Sequence, residues 1–350
     1  MKYKTHLNKK QTLLLTGGCG FIGTNFILDW FKRHKGTLIN LDKLTYAGNN
    51  NDYLKDQLRN MPYHFIKGDI NNTSLLKKIF KEFQPNAIVH MAAESHVDRS
   101  ISDPSQFIQT NFVGTFNLLE QARIYWQKLP LLHKNCFRFL HVSTDEVFGA
   151  LSEDQSAFNE NSPYKPNSPY SASKAGSDHL VRSYFHTYQF PTIITNCSNN
   201  FGPFQNNEKL IPLIITNALQ NKPLPIYGNG LQIRDWIPVQ DHCELLQIIL
   251  DEGKLGQSYA LGGKQEISNL DLVKLICRLL DAHYPQKRSF QDLITFVKDR
   301  AGHDFRYAIN TSKIEKEFRW RSSPEQFENY LLKTIHHYAN FIKDSNNLKN

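Results

Sequence analysis

Leu13-Leu14-Leu15-Thr16-Gly17-Gly18-Cys19-Gly20-Phe21-Ile22-Gly23, LLLTGGCGFIG, decides the fold. Its apolar run reads as a buried strand and a helical pattern follows at once, so Gly17, Gly20 and Gly23 fall at a GxxGxxG spacing between the two. Small residues there permit a tight turn and let backbone N–H groups at a helix N-terminus approach a pyrophosphate. A glycine triplet alone is a weak signal. It gains force from Asp42, which closes the next apolar run, GTLINLD, 19 residues after Gly23. A carboxylate at that place is the expected acceptor for the adenosine ribose hydroxyls. It would repel a 2′-phosphate, which favours NAD over NADP, although Lys43 beside it pulls the other way.

Outward from this unit, short β-rich runs alternate with longer helical patterns. YHFIKGDI, AIVHMAA and FRFLHVST continue the series, and the alternation predicts an α/β fold with a doubly wound parallel Rossmann sheet. Asp103 and Pro104 are placed to cap and open one long helix through SQFIQTNFVGTFNLLEQARIYW, and another starts near Ser168-Pro169. After about residue 200 the connections become rich in Pro, Gly and Asn, as in NNFGPFQNNEK and KPLPIYGNG, which predicts a smaller, mixed α/β lobe. The expected division is 1–200 plus about 230–262 for the cofactor domain, and about 201–229 plus 263–350 for the substrate lobe. The stretch SPEQFENYLLKTIHHYANFIKD reads as a last amphipathic helix, with a frayed polar end after it.

With 350 residues, 40% hydrophobic and 21% charged, the composition is that of an ordinary globular protein. No apolar run approaches the roughly 20 residues of a membrane span. MKYKTHLNKK lacks an apolar signal core, so a cytoplasmic location and no membrane partner are expected. The five cysteines are scattered and contain no CxxC pair, which argues against a disulfide framework or a metal site. The formal charge of +8 is dispersed, without a nucleic-acid motif, and suits an anionic small-molecule substrate.

Two further stretches carry chemistry. In STDEVFG, Asp145 and Glu146 sit side by side where FRFLHVST runs out, and strand ends of this kind face the ligand crevice. A solvated loop is the alternative for those seven residues alone. In YSASK, Tyr170 and Lys174 lie four apart on one helix face, where an ammonium can lower a tyrosine's pKa and make it a base on an alcohol. Thr144 stands 26 residues upstream of Tyr170. Asp69, in KGDI, either accepts from an adenine amino group or caps the helix that follows.

Together the glycine motif, MAAESHVDRS, Thr144 and the YxxxK helix resemble the extended short-chain dehydrogenase/reductase family that acts on nucleotide sugars. Within it, the acid pair with YSASKAGSDHLVRSYFHTY, TNCSNNFGP, EKLIPLII, LPIYGNGLQIRDWIPVQDHC and DRAGHDFRYAIN resembles the NAD-dependent 4,6-dehydratases, over about residues 11 to 340. The resemblance implies that Tyr170, with Lys174 and Thr144, takes the proton of the sugar 4-hydroxyl. It implies that Glu146 removes the C5 proton and that a protonated Asp145 serves the departing C6 hydroxyl. A 4-epimerase would have no task for two acids, and a non-catalytic NAD-binding protein would not need the four reacting side chains.

The same resemblance implies further residues at the cofactor: Phe21 and Ile22, Asp42 through Lys43, Leu44 and Thr45, Asp69 with Ile70, Ala92 and Ala93, Thr110 and Asn200. For the nucleotide-sugar substrate it implies Ser95, Asn199, Lys209 with Leu210, Arg234, Asn269, Arg300 and His303, and it puts Pro225, Ile226 and Tyr227 near the base. A structural ion pair with Asp235 is the alternative for Arg234. A dTDP-linked rather than UDP-linked glucose and a homodimer built on a helix bundle are also implied. Departures from the pattern are Cys19 for alanine, Phe148 and Phe201 for tyrosines, Ala301 for proline and Phe305 for arginine.

Overall fold

A computed structural model describes residues 11–48, 50–299 and 302–347. Twelve strands occur among them: β1 Thr12–Thr16, β2 Thr37–Asp42, β3 Tyr63–Lys67, β4 Ala87–His90, β5 Arg138–Thr144, β6 Thr192–Cys197, β7 Asn199–Phe201, β8 Leu224–Tyr227, β9 Ile233–Pro238, β10 Ser258–Leu261, β11 Glu266–Ser268 and β12 Ile294–Val297. Seven of them form one parallel sheet in the order β10-β6-β5-β4-β1-β2-β3. Chain order reverses between β1 and β4, which opens a crevice at their C-terminal ends. The glycine turn follows β1, and Ala92 and Ala93 follow β4.

The central strands read as unbroken apolar runs because both faces of the sheet are covered. Successive residues of β1 point to opposite sides. Leu13 and Leu15 pack with Phe26, Trp30, Leu245 and Ile249 from helices Phe21–Arg33 and Val239–Glu252. Leu14 packs with Leu76, Phe80, Leu118 and Val181 from helices Thr73–Phe83, Thr115–Gln127 and Pro169–Tyr188. Ile314, Phe318 and Trp320 also join the first of these clusters.

A separate core unites Ile214, Leu224, Ile226, Leu272, Ile276 and Leu331. The small sheets lie in this part of the chain: β11-β9-β7, with β11 antiparallel to β9, and the parallel pair β12-β8. Helices Leu210–Leu219, Asn269–His283 and Phe327–Asn347 complete it. The first ten and last three residues, including the polar tail, lie outside the described residues. Among the described residues no helix is long and apolar enough to cross a membrane.

The stretch read as one long helix after Pro104 is three contiguous pieces: helix Pro104–Phe107, a π-helical turn Ile108–Gly114 and helix Thr115–Gln127. Asp103 caps its start by accepting from Ser105 N–H at 3.2 Å. Apolar periodicity does not distinguish a π turn from an α turn over so short a span. The widened turn puts Asn111 Nδ2 2.9 Å from Ser173 Oγ and 3.0 Å from the Glu94 carbonyl, and brings Thr110 to the crevice.

Candidate active site

The turn after β1 owes its shape to glycine at two positions of different character. Gly17 has φ of +76°, and a Cβ there would sit 2.7 Å from the Ala92 backbone, so a side chain would force apart the two strand ends that frame the crevice. At Gly20 a Cβ would approach only the Gly17 carbonyl at 3.4 Å and the Ala47 carbonyl at 3.9 Å. Glycine at 20 therefore leaves room in front of the turn rather than relieving a clash behind it. Helix Phe21–Arg33 starts at Gly20 with no side-chain cap and no acidic residue in its first turn. Its unpartnered N–H groups and positive dipole end suit a diphosphate, and the cradle fits NAD.

The contrast gives a direct test. Gly17→Ala is expected to cost about 1–3 kcal/mol of stability, whereas Gly20→Ala should keep the Tm of the NAD-free wild type and lose bound NAD. Thermal unfolding together with the nucleotide content of the purified variants measures both, and a Gly20→Ala protein saturated with NAD would refute the assignment.

Asp42 ends β2 with one carboxylate oxygen 2.8 Å from the Cys19 N–H and the other 2.8 Å from the Leu44 N–H. Each oxygen retains acceptor capacity for a hydroxyl. Burial pushes its carboxyl up, against these two hydrogen bonds. Asp69 pairs with Lys43 at 2.8 Å and accepts from the Asn71 N–H at 2.9 Å. It is not the helix cap: Asn72 is, accepting from Leu75 N–H at 3.0 Å.

One cleft joins this region to the reacting groups. Phe21, Ile22, Lys43, Thr45, Asp69 and Ile70 line one end, with Ala92, Ala93 and Thr110 beside them. Thr144, Asp145, Glu146, Tyr170, Lys174 and Asn200 line the other. Ser95, Asn199 and Lys209 also line it, with Lys209 Nζ donating to the Ser95 carbonyl at 3.0 Å. Leu44, with φ of +58°, supplies a backbone turn rather than a wall of the cleft.

The acid pair occupies a 3₁₀ turn, Asp145–Phe148, nucleated where Thr144 Oγ1 accepts from the Glu146 N–H at 3.2 Å. The two acids have different surroundings. Asp145 is 2% exposed, and its Oδ2 has no hydrogen-bond partner. Burial raises its carboxyl far above the ordinary range, helped by Glu146 and Asp235 and opposed by Arg234 and Thr144. These surroundings favour its protonated form. Glu146 is half-buried in the cleft wall.

Helix Pro169–Tyr188 is fixed by a capping box between Ser168 and Ser171, which sets Tyr170 and Lys174 in the cleft. The net shift of the Tyr170 hydroxyl in this structure is upward. Burial pushes the Tyr170 hydroxyl well above its ordinary value, reinforced by Glu146 and Cys197, and the bond with Thr144 offsets only part of this. Burial also lowers Lys174, whose ammonium donates to the Val142 carbonyl at 2.9 Å.

Other candidate residues stand apart from the cleft wall. Arg234 is buried, and its guanidinium donates to the carbonyls of Ile233, Asp304 and Phe305 and lies over the Tyr307 ring. Asp235, its alternative partner, accepts instead from the Gly263 and Gln265 N–H groups. Pro225, Ile226 and Tyr227 belong to β8, and Tyr227 is exposed with its ring 6.4 Å from that of His303. His303 Nδ1 is 2.7 Å from Asp299. Leu210 and Asn269 each begin a helix of this lobe. Arg300 and Ala301 lie outside the described residues.

Sequence reasoning missed Glu94, Cys197, Gln205 and Glu208, all on the cleft wall. Glu208 gathers His96 at 3.4 Å and Arg99 at 3.5 Å, an association across the fold that no local pattern announces. Phe148, one of the departures, is 2% exposed between the rings of Phe158 and Tyr164. Phe201 is equally buried, against Trp236 and Phe327.

The sequence matches the family described as GDP-mannose 4,6 dehydratase over residues 14–334. It is 50% identical to a dTDP-glucose 4,6-dehydratase of Neisseria meningitidis serogroup B over 332 residues, 94% of this chain and 93% of the relative. Among solved structures, a Bacillus anthracis dTDP-glucose 4,6-dehydratase in complex with NAD superposes with TM-score 0.82 at 41% identity, covering 94% of this chain and 97% of the other. One from Streptomyces venezuelae, also with NAD bound, gives TM-score 0.84 at 40% identity with the same coverage.

Proposed function

The chain belongs to the family of NAD-dependent nucleotide-sugar epimerases and dehydratases, the extended short-chain dehydrogenase/reductases, and from that premise we propose that it converts dTDP-glucose to dTDP-4-keto-6-deoxyglucose and water. The observation that carries the choice of dehydration over epimerisation is the buried Asp145 carboxyl, one oxygen of it without a hydrogen-bond partner, beside Glu146 in one cleft with Tyr170 and Lys174. Elimination of water across C5 and C6 needs both a base and an acid. Two neighbouring carboxyls in unlike surroundings supply them at one pH.

NAD held by the glycine turn and Asp42 would supply the acceptor for the C4 hydride and the donor to C6, and its oxidised nicotinamide ring, being cationic, would favour the phenolate that Tyr170 must become. Tyr170 then accepts the proton of the 4-hydroxyl, with Thr144 bonded to its oxygen and the Lys174 charge nearby. The resulting ketone acidifies C5–H. Glu146 removes that proton, and Asp145 delivers its own to the C6 hydroxyl, which leaves as water. Protonation at C5 completes the product.

The diphosphate is assigned to Lys209 and Arg300, and the base to the Pro225–Tyr227 edge with His303; Arg234 and Asn269 complete the substrate lobe built on the second core. A homodimer in the cytoplasm is part of the reading. Its support is a row of exposed apolar residues, Ile101, Ile108, Phe112 and Phe116, beside helix Pro169–Tyr188. Purified enzyme given dTDP-glucose, with no reductant added, is expected to form the alkali-sensitive 4-keto product and to act far more slowly on UDP-glucose. Equal rates on the two nucleotides would refute the thymidine assignment.

A further inference from the structure

Behind the cleft wall, one helical turn beyond Lys174, lies Asp178, 1% exposed and not part of the cleft lining. It is surrounded by donors from three other segments. Tyr164 Oη donates to Oδ2 at 2.8 Å, Asn196 Nδ2 donates to the same oxygen at 3.0 Å, and His141 Nε2 is 3.1 Å from Oδ1. The Asn196 amide also donates to the Thr144 carbonyl at 3.2 Å, and the Tyr164 ring meets Phe148 edge-on at 5.3 Å. Thr144, which precedes the acid pair, and Phe148, two residues after it, each touch a side chain that donates to this one carboxylate.

A buried carboxylate is seldom the most stable filling of a core, since well-packed apolar side chains often serve as well or better. Its placement here invites a functional reason. We infer that Asp178 is a positioning residue for the reaction: it carries the counter-charge for Lys174 and, through Asn196 and Tyr164, fixes the strand end from which Thr144, Asp145 and Glu146 project. Both halves of the reacting site, the Tyr–Lys helix face and the acid turn, are registered against the same buried group. The inference rests on the dehydratase reading and deepens it.

The titratable groups facing the pair are His90 on β4, His141 on β5, Cys197 on β6, Tyr164 in the preceding loop and Tyr170 on the helix itself, with Asp145 and Glu146 beyond. Glu120, on helix Thr115–Gln127, meets the far end of the helix at Tyr184. Burial lowers both histidines, His141 to about 4, so they are neutral. Burial works to raise Asp178, but His141 and Lys174 outweigh it, and the group is a carboxylate. Its charge favours the ammonium form of Lys174, which burial disfavours. Removing it lowers the Lys174 pKa further, so the charged form is lost at a lower pH.

The test uses the NAD-containing enzyme with dTDP-glucose. Asp178→Asn is expected to lower kcat by about 10–100-fold, to leave KM and NAD content unchanged, and to move the alkaline limb of the kcat profile to lower pH. Asn196→Ser, which cuts the tether and keeps the charge, should lower kcat without moving that limb. An Asp178→Asn enzyme with wild-type kcat and an unmoved limb would overturn the inference. If that variant does not fold, Asn196→Ser decides, and wild-type kcat there overturns it. A wild-type enzyme inactive on dTDP-glucose overturns the functional reading, and this inference with it.

Discussion

Asp145→Asn is expected to lower formation of the 4-keto-6-deoxy product by about 10²–10⁴-fold, the usual contribution of a positioned proton donor, while the C5 hydrogen still exchanges with solvent deuterium. The two readouts separate because the carboxyls serve different bonds. Without a proton to give, the residue at 145 cannot help the C6 hydroxyl depart, yet Tyr170 and Glu146 can still generate the ketone and ionise C5. Glu146→Gln should lose both product and exchange. Asparagine keeps the shape of the buried side chain, so Tm should change little. Mass spectrometry of substrate recovered from D₂O resolves the cases, and wild-type product formation in either variant would remove the acid pair from the mechanism.

Tyr170→Phe should be at least as damaging, again by about 10²–10⁴-fold in kcat, and should also abolish C5 exchange, since no ketone forms. The deleted group is a hydroxyl on the cleft wall, and the ring that remains keeps its edge-on contact with Phe107 at 6.3 Å. The variant is therefore expected to fold and to purify with NAD. Persistence of C5 exchange in it would show that another group accepts the 4-hydroxyl proton, and Glu146, lining the same cleft, would be the first to examine.

The parts of this site legible in the sequence are those whose chemistry is local. Gly17, Gly20 and Gly23 lie within one turn, Tyr170 and Lys174 on one helix face, and Asp145 and Glu146 at a strand end, so spacing alone puts them together. Asp178 also shares that helix face, but its meaning comes from Tyr164, Asn196 and His141, and nothing in the spacing of these residues joins them. The same holds for Glu208 with His96 and Arg99, and for Arg234, whose partners around residue 304 lie 70 positions away in sequence. Titration was the least legible property. An ammonium near a tyrosine is visible in YSASK, but the desolvation that raises the Tyr170 hydroxyl depends on the whole fold.

Redesign of the cofactor preference meets an obstacle at Asp42. The carboxylate that would discriminate against a ribose phosphate is also the anchor of the Cys19 N–H and the Leu44 N–H, each at 2.8 Å. A Cβ on Gly48 would press on it as well, at 2.9 Å from Oδ1. Selectivity and the shape of the phosphate-binding turn are therefore one mechanical part, and replacing this acid to admit NADP would unmake the cradle that either dinucleotide requires. An enzyme altered to use the phosphorylated cofactor would need a new anchor for the turn before it could dispense with the old one.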